Sequence, residues 1–329
     1  MGEPAGVGGE ILLAAWLNRH EGGLPPFVAI DDPARLSALA AKLQLDVPLR
    51  KVSTGREAVA AFNGALPVAA LDEPLTPAVV PGTPNVAHAD FVMGSIEVAT
   101  QWVFEGQASA IVTNPIQKQT LYEAGFRYPG HTEYLAALTG ADGAPVMMLV
   151  SPQLRVVPVT IHLPLADVAA ALTTSAIIHA GRITAAALKR DFLIRSPRLA
   201  VAALNPHAGE GGTLGTEEAT VIAPAIAALK AEGIRVTGPH PADTLFHAHA
   251  REAADAVLCM YHDQALIPLK TLDFDNGVNL TLGLPLVRSS PDHGTALDIA
   301  GTGQARPDSL MAAMKLAAAC AANRMLAGA

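Results

Sequence analysis

The stretch AVLCMYHDQALIPLK, residues 256–270, runs from an apolar segment directly into titratable side chains. Its first five residues, 256–260, have the composition of a strand buried inside a parallel sheet. His262 and Asp263 follow almost at once. A strand that ends in an imidazole and a carboxylate brings both groups to a sheet edge, where they are hydrated, paired or used in chemistry. In open α/β sheets this carboxyl edge is where ligands bind.

The same arrangement recurs along the chain. Three other apolar runs end in polar residues, and they cover 109–113, 154–162 and 198–204. Ala- and Leu-rich helical stretches lie between them, such as 216–232, where Glu217 and Glu218 suit a helix N-terminus. Short strands alternating with helices are typical of a mostly parallel sheet covered on both faces.

Composition narrows the class of protein. A chain of 329 residues suits two domains, and 50% hydrophobic with only 4% aromatic residues favours α/β layering over an aromatic-rich β-sandwich. The formal charge of −8 argues against the basic surface that nucleic acids require. No apolar run approaches the roughly 20 residues of a membrane span, and no signal-peptide pattern opens the chain. Two cysteines, Cys259 and Cys320, predict a reducing cytoplasm rather than a disulfide framework.

Three of the predicted strands carry a histidine to the same edge: His162, His207 and His262. A single histidine there is usually capped or solvated, whereas three imidazoles with an open position form a common catalytic metal set. The residues alone leave both readings open. The other histidines without such a context are predicted to lie on the surface: His20, His88, His179, His240, His247 and His249.

Polar residues further along the chain suggest a binding pocket. Asp263, beside His262, is suited to fix the tautomer of that imidazole. Lys270, Asn279 and Arg288 are separated by apolar residues, and two cations with an amide can hold a phosphate or a carboxylate. Surface ion pairing is the alternative for Lys270.

Glycine-rich stretches do not match the usual nucleotide motifs. No G-x-G-x-x-G follows a predicted strand, so a standard Rossmann site is not supported. The segment MGEPAGVGGEI, residues 1–11, has no preceding strand and lacks the Lys-Ser/Thr pair of a P-loop.

Nine blocks, in order from residue 1 to about residue 315, resemble the family of 4-hydroxythreonine-4-phosphate dehydrogenases of vitamin B6 biosynthesis. They are GEPAGVGGEI, TNPIQK, GFRYPGHTEYLA, IHLPL, LNPHAGEGGTLGTEE, PADTLF, YHDQALIPLK, GVNLTLGLP and SSPDHGTALDIAGTG. The part HGTALDIAGTG, residues 293–303, also resembles the cofactor loop of isocitrate and isopropylmalate dehydrogenases, whose fold the family shares. Relatives carry an apolar strand before GEPAG, so Met1 is expected to be an internal methionine of a longer protein.

The resemblance implies an α/β fold of two α/β/α domains with mostly parallel sheets, like isocitrate and isopropylmalate dehydrogenases. It implies an active site in the interdomain cleft and a homodimer whose metal and substrate sites are shared across the interface. The expected domains are 1–112 with 265–329, which carries the cofactor loop, and 113–264, which carries the metal histidines and the dimer interface.

The resemblance also implies the site residues. A divalent zinc, magnesium or cobalt ion would be bound by His162, His207 and His262. The substrate, 4-phosphooxy-L-threonine, would contact His131, Thr132, Lys270, Asn279 and Arg288. NAD or NADP would contact His293, Gly294, Thr295, Ala296, Asp298 and Gly301. Asp263 and Lys118 are candidate catalytic residues for proton transfer by their chemistry alone.

The implied reaction oxidises the C3 hydroxyl of the substrate, and the resulting keto acid loses CO2. A dehydrogenase of the same family that acts on a related phosphorylated hydroxy acid or a cyclic diol is the alternative. A metal-dependent hydrolase or aldolase would use the histidines without a dinucleotide. A phosphometabolite-binding protein without activity would leave the three strand-end histidines unexplained.

Overall fold

A computed structural model describes residues 1–71 and 73–328. These residues form two compact units, of which the first joins Met1–Ala144 to Leu284–Ala318, and the second comprises Pro145–Gly283 and the residues from Ala319 onward. The units therefore divide the chain after residues 144, 283 and 318. The domain boundaries at 112 and 264 stay a prediction from the sequence.

The helices and strands alternate along the chain, as the sequence predicts. The helices are α1 (Gly8–Leu17), α2 (Pro33–Lys42), α3 (Gly55–Ala61), α4 (Ala89–Phe104), α5 (Lys118–Glu123), α6 (His131–Thr139), α7 (Val168–Ala171), α8 (Thr174–Asp191), α9 (Ala223–Ala231), α10 (Ala248–Ala253), α11 (His262–Leu272) and α12 (Asp308–Ala327). The strands are β1 (Ala29–Ile30), β2 (Leu49–Lys51), β3 (Leu66–Ala69), β4 (Ile111–Val112), β5 (Val146–Ser151), β6 (Leu154–Pro158), β7 (Arg198–Ala202), β8 (Arg235–His240), β9 (Ala256–Cys259), β10 (Val278–Leu282) and β11 (Arg288–Pro291).

The first unit is built around two short parallel arrangements of strands. Strands β1, β3 and β2 pair in that order, and β4 pairs with β11. Helix α1 reads GGEILLAAWL and is apolar on every side, so it is buried along nearly its whole length. Helix α6 is anchored in a second apolar cluster by Tyr134 and Leu135. This packing fixes the N-terminal ends of both helices. The glycine-rich segment leads into α1, and the predicted substrate residues His131 and Thr132 begin α6.

The second unit contains a six-stranded sheet. Strands β10, β5 and β6 are antiparallel neighbours, and β6, β9, β7 and β8 follow in parallel. Leu258 of β9 lies opposite Val157 on one side and Val201 on the other. The carboxyl ends of β6, β9 and β7 are therefore adjacent. The predicted α/β architecture with mostly parallel strands is confirmed.

The strands that lead to the three histidines end earlier than predicted. Strand β6 ends at Pro158 rather than near His162, β7 ends at Ala202, and β9 ends at Cys259. Beyond β9, the Gln264 side chain accepts a hydrogen bond from the backbone N–H of Met260, at 2.6 Å. Side chains thus add to the backbone hydrogen bonds that continue past the strand ends, such as Thr160 N–H to the carbonyl oxygen of Met260 at 3.2 Å. The histidines lie beyond the strands, and His262 is the first residue of α11.

One histidine expected on the surface is buried. His88 is only 2% exposed, and its Nε2 lies 2.7 Å from the carbonyl oxygen of Pro77. The surface prediction is wrong for this residue because the preceding loop folds over the ring and supplies a backbone partner.

Among the described residues, α12 alone is long and apolar enough to cross a membrane by length and composition. Such a single helix is weak evidence, because core helices of soluble proteins have the same property. Leu310 and Ala317 of α12 are buried, and its Arg324 pairs with the buried Asp191 at 2.7 Å.

Candidate active site

The second unit brings two of the three predicted metal histidines together. The ring centroids of His162 and His262 lie 6.0 Å apart, and both rings line a cavity of about 320 Å³. His162 adopts a φ of 48°, in the left-handed region that side chains with a Cβ seldom occupy. Strain of this kind costs on the order of 1–3 kcal/mol and is concentrated at functional sites.

Asp263 orients one of these rings. Its Oδ1 lies 2.7 Å from Nδ1 of His262. With the Nδ1 proton donated to the carboxylate, Nε2 is left with its lone pair, which is the atom that a metal ion needs. The sequence predicted that Asp263 is suited to fix the tautomer of its neighbour His262, and its carboxylate does lie at hydrogen-bond distance from that ring.

Hydrogen bonds tie together the strand ends that carry the histidines. The hydroxyl of Thr160, two residues before His162, donates to the carbonyl oxygen of Met260, two residues before His262, at 2.7 Å. The Gln264 side chain donates to the carbonyl oxygen of Ala203 at 2.7 Å and so links this edge to the end of β7. The two rings are held near each other by the backbone, not only by side-chain packing.

His207 lies on a different kind of segment. Residues 207–211 all have positive φ, including three without glycine's freedom, at His207, Ala208 and Glu210. The buried carboxylate of Glu218 holds the start of this segment by accepting hydrogen bonds from the backbone N–H groups of Leu204 (2.9 Å) and Asn205 (2.7 Å). Glu218 thus supports this loop, and it also begins the helical segment Glu218–Ile222, in line with the helix N-terminus predicted from the sequence.

The described residues contain no group of three or more His, Cys, Asp or Glu side chains arranged to hold a metal ion. His162 and His262 nevertheless suit a divalent cation, because they present two imidazoles at one cavity and the Asp263 carboxylate orients one of the rings. His207 as the third ligand stays a prediction.

In the first unit, a buried arginine is the centre of the second group of candidates. Arg288, on β11, is 4% exposed, and its Nη2 and Nε donate to the hydroxyl of Thr113 at 2.6 and 3.2 Å. Burial lowers the pKa of Arg288 to about 10, against the opposing effect of Glu133. The guanidinium of Arg288 thus lies on β11 and contacts Thr113 at the end of β4. Burying its charge costs free energy of folding, and the same charge is suited to an anionic ligand.

His131 lies beside this arginine. Burial lowers the pKa of His131 well below its usual value, and the charges of Arg288 and Lys118 lower it further. Its Nε2 is buried and has no hydrogen-bond partner among the described residues. A neutral imidazole with an unsatisfied buried nitrogen is expected to be completed by a ligand.

The N-terminus of α6 adds to the same group. His131 and Thr132 are its first two residues, and no side chain caps the helix at Gly130. The open N–H groups and the helix dipole favour an anion at this end. A Cβ built on Gly130 would lie 3.8 Å from Nζ of Lys118, so the lysine lies against this turn.

Two predicted substrate residues lie in the second unit. Lys270 is on α11, eight residues after His262, which is about 12 Å along a helix axis. Its Nζ lies 5.6 Å from the ring centroid of Phe274. Asn279 is on β10, and its Oδ1 is buried without a hydrogen-bond partner among the described residues. The buried oxygen of Asn279 supports a role in ligand binding more strongly than the position of Lys270 does.

The predicted cofactor residues form a loop between β11 and α12 of the first unit. His293, Gly294 and Asp298 are exposed, and a Cβ built on Gly294 would meet nothing within 4 Å. Ala296 has a φ of 43°, which gives the loop a tight turn there. The space over Gly294 fits a ligand that lies close to the backbone.

Two supporting residues were missed by the sequence reasoning. Thr113 was identified only as the end of a strand, although its hydroxyl accepts the hydrogen bonds of the buried Arg288 guanidinium. Glu10 is 3% exposed, and its carboxylate binds backbone N–H groups of the cofactor loop. Its signal in the sequence is a single carboxylate within the apolar helix GGEILLAAWL.

Comparisons with known proteins show what the chain is similar to. The family profile described as "Pyridoxal phosphate biosynthetic protein PdxA" matches residues 24–317. The chain is 55% identical to the 4-hydroxythreonine-4-phosphate dehydrogenase of Caulobacter vibrioides, over 98% of this chain and 96% of the relative. It superposes on the crystal structure of 4-hydroxythreonine-4-phosphate dehydrogenase from Klebsiella pneumoniae with a TM-score of 0.86 at 38% identity, covering 98% and 96%. A terephthalate 1,2-cis-dihydrodiol dehydrogenase from Burkholderia xenovorans gives a TM-score of 0.63 at 28% identity, covering 97% and 96%.

Proposed function

The chain belongs to the family of the pyridoxal phosphate biosynthetic protein PdxA, and we propose that the groups described above carry out the dehydrogenase reaction for which its relatives are named. It is an oxidoreductase of vitamin B6 biosynthesis that uses a nicotinamide cofactor. The C3 hydroxyl of 4-phosphooxy-L-threonine is oxidised by NAD(P)+, which gives 2-amino-3-oxo-4-phosphooxybutanoate, NAD(P)H and a proton. Loss of CO2 then gives 3-amino-2-oxopropyl phosphate.

The observation that carries the substrate assignment is the buried group around Arg288. A neutral His131 with an unsatisfied Nε2, the guanidinium and the open end of α6 all favour one anion. The phosphate of the substrate supplies acceptor oxygens for each of them, and Thr132 adds a hydroxyl at the same helix end. Binding energy gained at the phosphate is remote from C3 and serves to position the reacting bond.

The histidines of the second unit are proposed to hold a divalent metal ion, zinc, magnesium or cobalt. His162 and His262 would be two ligands, with His207 as the third. When bound, such an ion lowers the pKa of a hydroxyl and stabilises negative charge on oxygen, which suits both oxidation at C3 and decarboxylation. Asp263 holds the proton on Nδ1 of His262, so the ring stays in the tautomer that presents Nε2.

Proton transfer has two candidates, one in each unit. Lys118 lies against the turn at Gly130 beside His131, and Asp263 lies at the histidine pair. Because the carboxylate of Asp263 is engaged with His262, its primary proposed role is to orient that ring. Lys270 and Asn279 are proposed to contact the substrate from the second unit.

The loop that includes His293, Gly294, Thr295, Ala296, Asp298 and Gly301 is proposed to bind the dinucleotide, NAD or NADP. Its support is the open space over Gly294 and the exposed donors around it.

The test is an assay of NAD+ and NADP+ reduction with 4-phosphooxy-L-threonine, with and without a chelator. We expect nicotinamide absorbance to rise only with the phosphorylated substrate and to be lost after chelation until divalent metal is restored. The matched control is unphosphorylated 4-hydroxythreonine, which lacks the anion that His131 and Arg288 bind. Equal rates with both compounds would contradict the phosphate assignment.

A cyclic diol is the second candidate substrate, since the chain also superposes on a dihydrodiol dehydrogenase. A diol without a carboxylate places no anion against Arg288, whereas a terephthalate dihydrodiol carries two carboxylates and would pair with the guanidinium, so the buried charge alone does not choose between a phosphate and such a diol. The same assay with a cis-dihydrodiol decides between them. A hydrolase or aldolase would give no change in nicotinamide absorbance with any substrate.

The protein is further proposed to be a cytoplasmic homodimer with metal and substrate sites shared between subunits. Large apolar side chains exposed in the second unit support an interface there, including Leu165 (72%), Ile267 (63%) and Phe274 (74%). Light scattering coupled to size exclusion measures the mass in solution, and a monomer at assay concentration would contradict this proposal.

A further inference from the structure

The glycine-rich segment at residues 1–11 fits no nucleotide motif, yet it is bound to the cofactor loop. The backbone N–H of Val7 donates to the carbonyl oxygen of Thr295 at 3.0 Å. Three residues further on, Oε2 of Glu10 accepts from the N–H of Gly301 at 2.7 Å, and Oε1 accepts from the N–H of Ala305 at 3.2 Å. The first turn of α1 therefore holds the loop at three points over residues 295–305.

A glycine on the α1 side permits this close approach. A Cβ on Gly6 would lie 2.9 Å from the carbonyl oxygen of Thr295, which real Cβ atoms essentially never reach. The two backbones are in contact because Gly6 carries no side chain. Gly301 has a φ of 72°, and a Cβ there would lie 2.8 Å from the Pro81 side chain, so a larger residue would disturb the loop itself.

Glu10 is unusual for a residue inside an apolar helix. It is only 3% exposed, and each carboxylate oxygen accepts one backbone N–H group of the loop. Burying a carboxylate is costly unless its oxygens are hydrogen-bonded, so the side chain is satisfied only while the loop keeps this conformation. Conversely, the N–H groups of Gly301 and Ala305 lose their acceptor if the loop moves.

We propose that Glu10 is a positioning residue for the dinucleotide: it presets the 295–305 loop in its binding conformation before the cofactor arrives. This inference rests on the proposed function, in which that loop binds NAD or NADP. A loop that is already ordered loses less conformational entropy on binding, so the affinity for the dinucleotide depends on Glu10 although Glu10 need not touch it. Chemistry at C3 and metal binding do not depend on it.

The test compares Glu10→Gln with wild type. Glutamine keeps the shape but has one acceptor oxygen, and its NH2 group would face a backbone N–H donor. We expect the Kd and KM for NAD(P)+ to rise at least about tenfold, which is about 1.4 kcal/mol. We expect kcat at saturating cofactor, the KM for the phosphorylated substrate and the affinity for Co2+ to stay within about twofold of wild type.

The matched control is Glu57→Gln in the same unit. The Glu57 carboxylate also accepts a backbone N–H, that of Ser53 at 2.8 Å, but it lies on α3, away from the loop. The control should leave the Kd for NAD(P)+ unchanged. An unchanged Kd in Glu10→Gln overturns the proposal, as does a loss of kcat and substrate affinity equal to the loss of cofactor affinity.

A measurement on the wild-type protein guards against a variant that fails to fold. In cofactor-free protein, the amides of Gly301 and Ala305 should already be protected from hydrogen exchange. Free exchange there means that the loop is not preset and overturns the inference. Wild type that binds no NAD(P)+ overturns the assignment of the loop, whereas wild type and Glu10→Gln that bind it equally overturn only the role of Glu10.

Discussion

Replacing Arg288 by methionine is expected to weaken substrate binding with little net change in the stability of the fold. Burial lowers the pKa of Arg288 to about 10, so keeping the charged guanidinium inside the fold costs on the order of a few kcal/mol. Since the folded-state pKa of this base is depressed, the cost is fully present below pH 10 and is relieved only above it, so it applies in full near neutrality. Methionine is of similar length and carries no charge.

The substitution also removes the two charge-assisted hydrogen bonds to Thr113, each worth about 1.5–3 kcal/mol, and these losses offset the gain. The free energy of unfolding is therefore expected to stay within about 2 kcal/mol of wild type. Substrate binding, in contrast, is weakened. Loss of a charge-assisted hydrogen bond of about 1.5–3 kcal/mol raises the KM for the phosphorylated substrate roughly 10- to 150-fold.

The assay pairs a thermal melt of ligand-free protein with steady-state kinetics at saturating NAD(P)+. Arg182→Met is the control, because Arg182 forms an ion pair with Glu232 on the surface and should affect neither the KM nor the affinity for the cofactor. An Arg288→Met protein that melts clearly lower than wild type would mean that the guanidinium supports the fold. An unchanged KM in a well-folded variant would remove Arg288 from the substrate site.

Three further substitutions test the other groups. Asp263→Asn leaves His262 without its carboxylate partner, so the affinity for Co2+ should fall about 10- to 100-fold while the melting temperature stays unchanged. Calorimetry measures that affinity, and an unchanged value would mean that the Asp263–His262 pair does not support a metal ion. Gly294→Val should abolish NAD(P)+ binding and spare metal binding, because its Cβ meets nothing in the fold and only a ligand would occupy that space. His131→Gln tests the buried imidazole: the lowered pKa of His131 means that folded-state stability is fully present above an unfolded pKa of about 6.5 and is lost as pH falls below it. The variant's melting temperature should therefore decrease less than that of wild type when the pH is lowered from about 7 to 5, and parallel curves would show that His131 is not the group that titrates.

The strand-end reasoning succeeded where neighbouring strands decide the geometry. His162 and His262 follow β6 and β9, which pair directly, so their rings come within 6.0 Å. His207 follows β7, which also pairs with β9, yet it sits on a run of positive φ. Apolar periodicity predicts the strand but contains no information on a left-handed loop at residues without glycine's freedom, so the position of this ring could not be predicted.

The first unit shows a different limit. Arg288 was proposed from its spacing with Lys270 and Asn279, and His131 only by resemblance, and sequence spacing could not have shown that Arg288 and His131 are buried together. Thr113 and Arg288 are 175 positions apart, and Glu10 and Gly301 are 291 apart. Contacts of such separation leave no local pattern, since each partner looks ordinary among its own neighbours. Glu10 alone had a usable signal, the isolated carboxylate in an apolar helix.

The hold of Glu10 on the cofactor loop has a consequence for synthesis of the chain. When residue 283 has emerged from the ribosome, every strand of the second unit is complete, whereas Thr113 still waits for Arg288 and Glu10 for Gly301. At about 5–20 residues per second, the rest of the chain takes several seconds more. During that time the carboxylate of Glu10 on α1 has not yet met the backbone N–H groups of Gly301 and Ala305 that it binds in the complete protein. Translation that stops at that point therefore leaves the second unit complete with its candidate metal histidines, while the first unit lacks the loop that is proposed to bind the dinucleotide.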